Sequence, residues 1–176
     1  MRKQINDAWE WGKPTVSEVE ALAKKAAAKM GIPEKKWLDV GLLVGVKPRN
    51  FRRWREGIKT DPNMESSITF AGYGALYAMA YGKPLVKPVL SDSEGVIASQ
   101  YITNAENYVC PPRKLLEAVI GVDSLMGLSR AAIGQKIGIH GNVLAYQITT
   151  EKISFSSWAQ ILMLCSVPVS DIFYRA

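Results

Sequence analysis

The segment Gly45-Val46-Lys47-Pro48-Arg49-Asn50-Phe51-Arg52-Arg53-Trp54-Arg55-Glu56-Gly57 concentrates the side chains best suited to specific chemistry. It reads as a glycine-led turn, a short helix from about Pro48 to Arg55, and a glycine stop. At helical spacing Arg49, Asn50, Arg52, Arg53 and Arg55 fan outward, while Val46, Phe51 and Trp54 fall near one apolar face. A guanidinium pairs bidentately with phosphate oxygens or with the O6/N7 edge of guanine, and an asparagine amide does the same with adenine. The pattern therefore fits a helix that enters a DNA major groove, with Arg49, Asn50, Arg52 and Arg53 as base and phosphate contacts. Lys47, at the turn, is placed on a phosphate. Lys35 and Lys36, at the start of the preceding helix, are placed to grip the backbone together with main-chain N–H groups. Trp54 reads as a core or cap residue, and Arg55 as a partner for solvent or a nearby acid. Taken alone, a basic helix describes a solvated charged face equally well, so the surrounding elements decide its meaning.

Other chemistry finds little support. No GxGxxG follows a strand, and neither a GxxxxGK[ST] loop nor a GxSxG elbow occurs. His140 is the single histidine, and Cys110 and Cys165 lie far apart without a zinc spacing. An enzyme, a metal site and a cofactor are therefore not expected. Trp9 and Trp11, flanked by Arg2, Lys3 and Lys13, suggest either a basic arm for a minor groove or, in preference, aromatic packing against the domain or a partner subunit. Tyr73, Tyr77 and Tyr81 recur every four residues, a helix face that packs or dimerises. Phe155, Trp158, Ile161, Leu162 and Cys165 read as core.

The 176 residues suffice for one ordinary domain or two small ones, and 48% hydrophobic with 22% charged residues is globular composition. No apolar run approaches the roughly 18 residues of a membrane span, and the first residues lack the apolar stretch of a signal peptide. A reduced, cytoplasmic and nucleoid-associated location is the expectation. The net charge of +6 is unevenly spread. Residues 1–90 carry 16 Lys/Arg against 9 Asp/Glu, whereas residues 91–176 carry 6 against 7. Attraction to a polyanion belongs to the first half.

The halves are nonetheless alike. Ile68-Thr69-Phe70-Ala71-Gly72-Tyr73-Gly74-Ala75-Leu76 overlays Ile153-Ser154-Phe155-Ser156-Ser157-Trp158-Ala159-Gln160-Ile161 at an offset of 85. Val44-Gly45-Val46 overlays Ile137-Gly138-Ile139 at an offset of 93, and Met30-Gly31-Ile32 answers Met126-Gly127-Leu128. Three blocks recurring in order mark an internal repeat. The first copy has eight extra residues around Lys59-Thr60-Asp61-Pro62-Asn63. The pattern predicts helices over 16–29 (capped by Thr15 or Ser17), 34–44, 48–55 and 70–81 in a unit spanning 1–88. A Pro-containing linker near Gly82–Pro88 and Ser91–Gly95 leads to a second unit spanning 89–176. Its helices are predicted over 96–108, 113–125, 130–137, 141–147, 156–165 and 170–174, and strand signals are weak throughout.

Ser129-Arg130-Ala131-Ala132-Ile133-Gly134-Gln135-Lys136-Ile137-Gly138-Ile139 resembles the first two elements of the lambda-repressor/Cro-like helix-turn-helix. Gly134 stands at the small position and Gly138 at the turn. Val40-Gly41-Leu42-Leu43-Val44-Gly45-Val46 is similar, and Arg53-Trp54-Arg55-Glu56-Gly57 is similar to the family's usual ending of the recognition helix. The resemblance covers roughly 16–82 and 113–173. It implies an all-α protein of two tandem helix-turn-helix units, a bacterial, phage or plasmid transcriptional regulator that binds double-stranded DNA as a homodimer. Two departures matter. Lys36-Trp37 stands where the family often has Ser/Thr-Gln. The second recognition-helix equivalent, from His140 to Gln147, has no Lys or Arg. Asn142 and Gln147 can read adenine and His140 can reach a phosphate. The second unit is left as a weak DNA reader, or as a dimerisation or protein-binding module that contacts RNA polymerase or another protein. An antitoxin-like or inhibitor protein on the same scaffold is the alternative function.

Overall fold

The computed structural model describes residues 3–92, 95 and 97–175. Among them the regular structure is helical: α1 (Val16–Lys29), α2 (Val40–Leu43), α3 (Pro48–Trp54), α4 (Phe70–Tyr81), α5 (Arg113–Val119), α6 (Arg130–Ile137), α7 (Gly141–Thr150), α8 (Phe155–Leu164) and α9 (Val169–Ile172). Strand pairing is limited to isolated bridges, such as Ile5 with Val86.

Local rules account for most boundaries. Thr15 caps α1 reciprocally: its hydroxyl accepts from the Glu18 N–H at 3.2 Å, and the Glu18 carboxylate accepts from the Thr15 N–H at 2.7 Å. Thr69 and Ser154, equivalent in the repeat, cap α4 and α8 in the same way, accepting from Gly72 N and Ser157 N. These two helices are apolar on nearly every side. Phe70 through Ala80 is buried, and Phe155 through Leu164 is buried apart from half-buried Ser156. A helix without a polar face must lie in the middle of its protein, and α4 packs on both α1 and α8. Gln160 spans the α4–α8 contact, donating from Nε2 to the Ala71 carbonyl at 3.3 Å. Burial pushes the Cys165 thiol up to about 12.

The two halves meet through reciprocal contacts. Gly45 has φ +73° and Gly138 has φ +76°, so both turns use the left-handed region that glycine enters freely. A Cβ at Gly45 would lie 2.9 Å from Phe155 Cβ, and one at Gly138 would lie 2.6 Å from Phe70 Cβ. Phe70 and Phe155 are themselves repeat equivalents. Each half thus inserts its helix-opening phenylalanine against the turn glycine of the other. Contacts of i with j matched by j with i characterise a two-fold arrangement, here within one chain.

Several predicted elements differ. Residues 34–39 form a 3-10 stretch kinked at Lys36 (φ −116°, ψ 15°), and α-geometry begins only at Val40. Pro33 at the N-cap offers no side-chain acceptor to nucleate a regular first turn. The helix predicted over 96–108 begins on Val96, outside the described residues, and from 97 onward only Ser99–Tyr101 coils. Asn104 Oδ1 accepts from both the N and Nδ2 of Asn107, a local turn that competes with helix. α5 stops at Val119, because Gly121 sits at φ +150° and the Ser124 hydroxyl binds the Val119 carbonyl. α7 runs on to Thr150, ending where Glu151 turns left-handed at φ 53°.

The proline-containing linker and the N-terminal arm are also packed. Leu85 and Val86 are buried, and Val89 and Leu90 donate to the Leu164 carbonyl. Ile5 N donates to Leu85 O and Lys87 N to Ile5 O. Lys136 Nζ, from the second half, donates to Asn6 O at 3.1 Å and to Asp7 Oδ1 at 3.3 Å. Trp11 packs edge-on against Phe70 with ring centroids 5.2 Å apart. Residues 4–11 are therefore fastened to the body, whereas Trp9 is 73% exposed; Arg2 lies outside the described residues.

Candidate nucleic-acid interface

α3 stands on two aromatic feet. Phe51 fills the space over Gly41, where a Cβ would come within 2.8 Å of its ring. Trp54 reaches Gly72 of α4, where a Cβ would meet the indole at 2.3 Å. Their rings contact one another, centroids 5.7 Å apart. With both residues buried, helical geometry turns 49, 50, 52 and 53 away from the core. The last turn is tied by Ser66 Oγ donating to the Trp54 carbonyl at 2.7 Å and Ser67 Oγ to that of Arg53 at 3.3 Å. The loop carrying these serines is held in turn by Val16 N donating to Met64 O and Ser66 N to Pro14 O. The loop that follows the inserted residues of the first copy thus braces α3 through Ser66 and Ser67.

Lys47, Arg49, Asn50, Arg52 and Arg53 are all exposed, as are Lys35 and Lys36. Among the described residues none of these lysines or arginines makes an ion pair. Arg55 behaves differently. Its Nε and Nη2 donate to Glu20 Oε2 at 3.0 and 2.7 Å, and its guanidinium lies 4.6 Å from the centre of the Trp37 ring. Burial of Glu20 works to raise its pKa, but hydrogen bonds from Lys24 and Arg55 outweigh it and hold the carboxyl below its ordinary value. The segment therefore contains one structural arginine and three free ones. A cleft of about 720 Å³ opens beside the start of α3, between Lys36, Leu42 and Lys47 on one wall and Asn104, Tyr174 and Arg175 on the other.

The second half repeats the framework with different outward chemistry. α6 and α7 approach closely: a Cβ at Gly141 would sit 2.9 Å from the Ala131 Cα, and one at Gly134 would sit 2.3 Å from the Ile139 carbonyl oxygen in the turn between them. Leu144, equivalent to Phe51 at the offset of 93, is buried. His140 replaces Lys47 at the N-cap, and its Nδ1 accepts from Asn142 N at 3.3 Å. With Nδ1 accepting, Nε2 is the ring nitrogen left to donate, and His140 is exposed. Asn142 is exposed. Gln147 is not placed with it: it is half-buried, with Oε1 enclosed and lacking a hydrogen-bond partner. The same register lays Gln147 over Trp54, a signal present in the sequence and unused. Two exposed residues on this face escaped the sequence reading, Val143 (46%) and Tyr146 (63%).

The tyrosine series faces inward. Tyr73 and Tyr77 are buried on α4, and Lys25 Nζ lies 4.0 Å from the centre of the Tyr81 ring. Among the described residues no group of three or more His, Cys, Asp and Glu is placed to hold a metal, and no helix is long and apolar enough to cross a membrane. Comparison of the chain with protein-family models, curated proteins and solved structures returned no match.

Proposed function

We propose that this protein is a sequence-specific binder of double-stranded DNA that acts as a transcriptional regulator, built from two tandem helix-turn-helix units and carrying out no catalysis. The observation that carries this reading is the state of α3. Its apolar side is buried on Phe51 and Trp54, while Arg49, Asn50, Arg52 and Arg53 stand exposed, the arginines without acidic partners among the described residues. A rigid helix edge bearing free guanidinium groups and one amide suits the major-groove donor and acceptor pattern. Lys35, Lys36 and Lys47 supply backbone contacts that set orientation and make binding salt-dependent. Occupancy of an operator then blocks or recruits RNA polymerase, on nucleoid-associated DNA.

The test is a salt-resolved binding titration with selected and scrambled duplexes. The reading expects a preference of at least a hundredfold for the selected duplex, abolished by the double variant Arg49→Ala/Arg53→Ala. Equal affinity for both duplexes reduces the protein to a nonspecific polyanion binder, and no binding removes DNA altogether. The alternative, an antitoxin-like or inhibitor module, draws on exposed Val143 and Tyr146 in the neutral half. It is favoured if the chain ignores DNA yet forms a stable complex through that face.

A further inference from the structure

The reciprocal glycine–phenylalanine contacts place α3 and α7 in equivalent positions, so the difference between their exposed faces is a difference in what each reads. We propose that one chain reads a bipartite, asymmetric duplex site, with a guanine-bearing half under α3 and an A·T half under α7. This rests on the DNA-binding reading and extends it.

The equivalence is local as well as global. Gly45 and Gly138 share a left-handed turn, Val44 and Ile137 are both fully buried, and Phe51 and Leu144 point into the core. The register then sets Arg49 against Asn142, Asn50 against Val143, Arg52 against Ala145 and Arg53 against Tyr146. Guanidinium groups suit guanine O6 and N7, which present two acceptors. α7 offers no cation for that pattern. It offers an amide that pairs with adenine N6 and N7, and the aliphatic groups of Val143 and Ala145, which suit the thymine methyl. The Tyr146 hydroxyl and the exposed His140 imidazole supply donors to phosphate. Such contacts anchor weakly on their own. Carried on the same chain as α3, they add discrimination without needing their own electrostatic attraction, since the first half delivers the duplex. Within-chain pairing of the halves also means that a single copy presents two readers, and these are unlike.

In vitro selection from a random duplex pool, run with the full wild-type chain, Arg49→Ala and Asn142→Ala, tests this. The wild-type is expected to enrich a two-part site with guanine in one part and adjacent A·T pairs in the other. Arg49→Ala should relax a position in the first part alone, and Asn142→Ala a position in the second part alone. Replacing the A·T part by G·C should weaken wild-type binding about tenfold or more. Thermal unfolding midpoints matching wild-type show that a variant's loss is not misfolding; because Asn142 is exposed, Ala at that position is expected to pass. Enrichment of a palindrome with two guanine-bearing halves, or of one short half with random flanks, overturns the inference while leaving DNA reading intact. No enrichment at all sinks both. If Asn142→Ala and Tyr146→Ala select the wild-type site unchanged but abolish self-association or binding of a protein partner, α7 is a protein contact and the inference fails.

Discussion

α3 and α7 hold the same place in two equivalent halves and have opposite surfaces. Both follow a left-handed glycine, both insert an apolar residue one turn in, and both are steadied by a buried helix capped through Thr69 or Ser154. Outward, α3 carries three arginines without an ion pair among the described residues and an asparagine, whereas α7 carries an asparagine, a valine and a tyrosine. The lesson is that framework and exposed surface are encoded by separate residues. Inward positions are constrained by close approach, because a Cβ at Gly41, Gly45, Gly134 or Gly138 would meet a neighbour below 3.0 Å. Outward positions meet only solvent and are free to diverge without a cost in folding.

The comparison is broken most severely by removing the element that makes the halves equivalent. Phe70→Ala or Phe155→Ala should each destabilise the fold by about 3–5 kcal/mol in denaturant titrations, as expected for a buried phenylalanine. Gly138→Ala should lose about 2–4 kcal/mol through its left-handed φ and the overlap with Phe70. Combining it with Phe70→Ala, which removes the Cγ and Cδ1 atoms 2.9 and 3.0 Å from an added Cβ, should cost less than the sum of the two single losses; strict additivity would show that the contact is not the cause. Next in size, Arg49→Ala and Arg53→Ala should each weaken specific DNA binding by about 1–3 kcal/mol with little change in stability. Unchanged affinity in both would remove α3 from the interface.

Arg55 sharpens the comparison within α3's own segment. Arg55→Ala should lower stability more than DNA affinity, and Glu20→Gln should cost about 1 kcal/mol at neutral pH for this partly enclosed pair, in which two guanidinium nitrogens share Glu20 Oε2. Because the folded-state pKa of Glu20 is depressed, its contribution is present above the ordinary carboxylate value of 4.5 and is lost as pH falls below it. Wild-type should therefore lose stability in acid more steeply than Glu20→Gln; parallel acid limbs would refute the pairing. Smallest of all, Asn142→Ala should change total affinity by less than either arginine variant. A larger loss in a binding titration would reverse the ranking of the two halves.

Much of the framework was legible from local pattern. Thr15 with Glu18 marks the start of α1, the Pro48 to Trp54 periodicity marks α3, and the recurring Ile-Thr/Ser-Phe block marks the entry of α4 and α8. These signals act within one or two turns of chain, where capping and periodicity operate. The stretches predicted helical that are not, within 97–108 and 120–125, are governed by side-chain turns at Asn104 and Ser124 that compete with helix on nearly equal terms. Of the site residues, Arg55 and Gln147 were the hardest to place. The partner of Arg55 lies 35 residues away on α1, and the inward turn of Gln147 follows from a register that only the repeat reveals.

Composition and spacing alone determined that this chain coils into helices, that the sequence blocks around Phe70 and Phe155 recur, and that its cations gather in residues 1–90. Those properties depend on neighbours a few residues apart, or on simple counting. Tertiary structure decided which arginine is a strut and which lack an ion pair among the described residues, that the two copies meet through Phe70 and Phe155, and that residues 4–11 and 85–90 are pinned. Each of these outcomes depends on which distant surfaces exclude water together, and that is settled only when the whole chain packs.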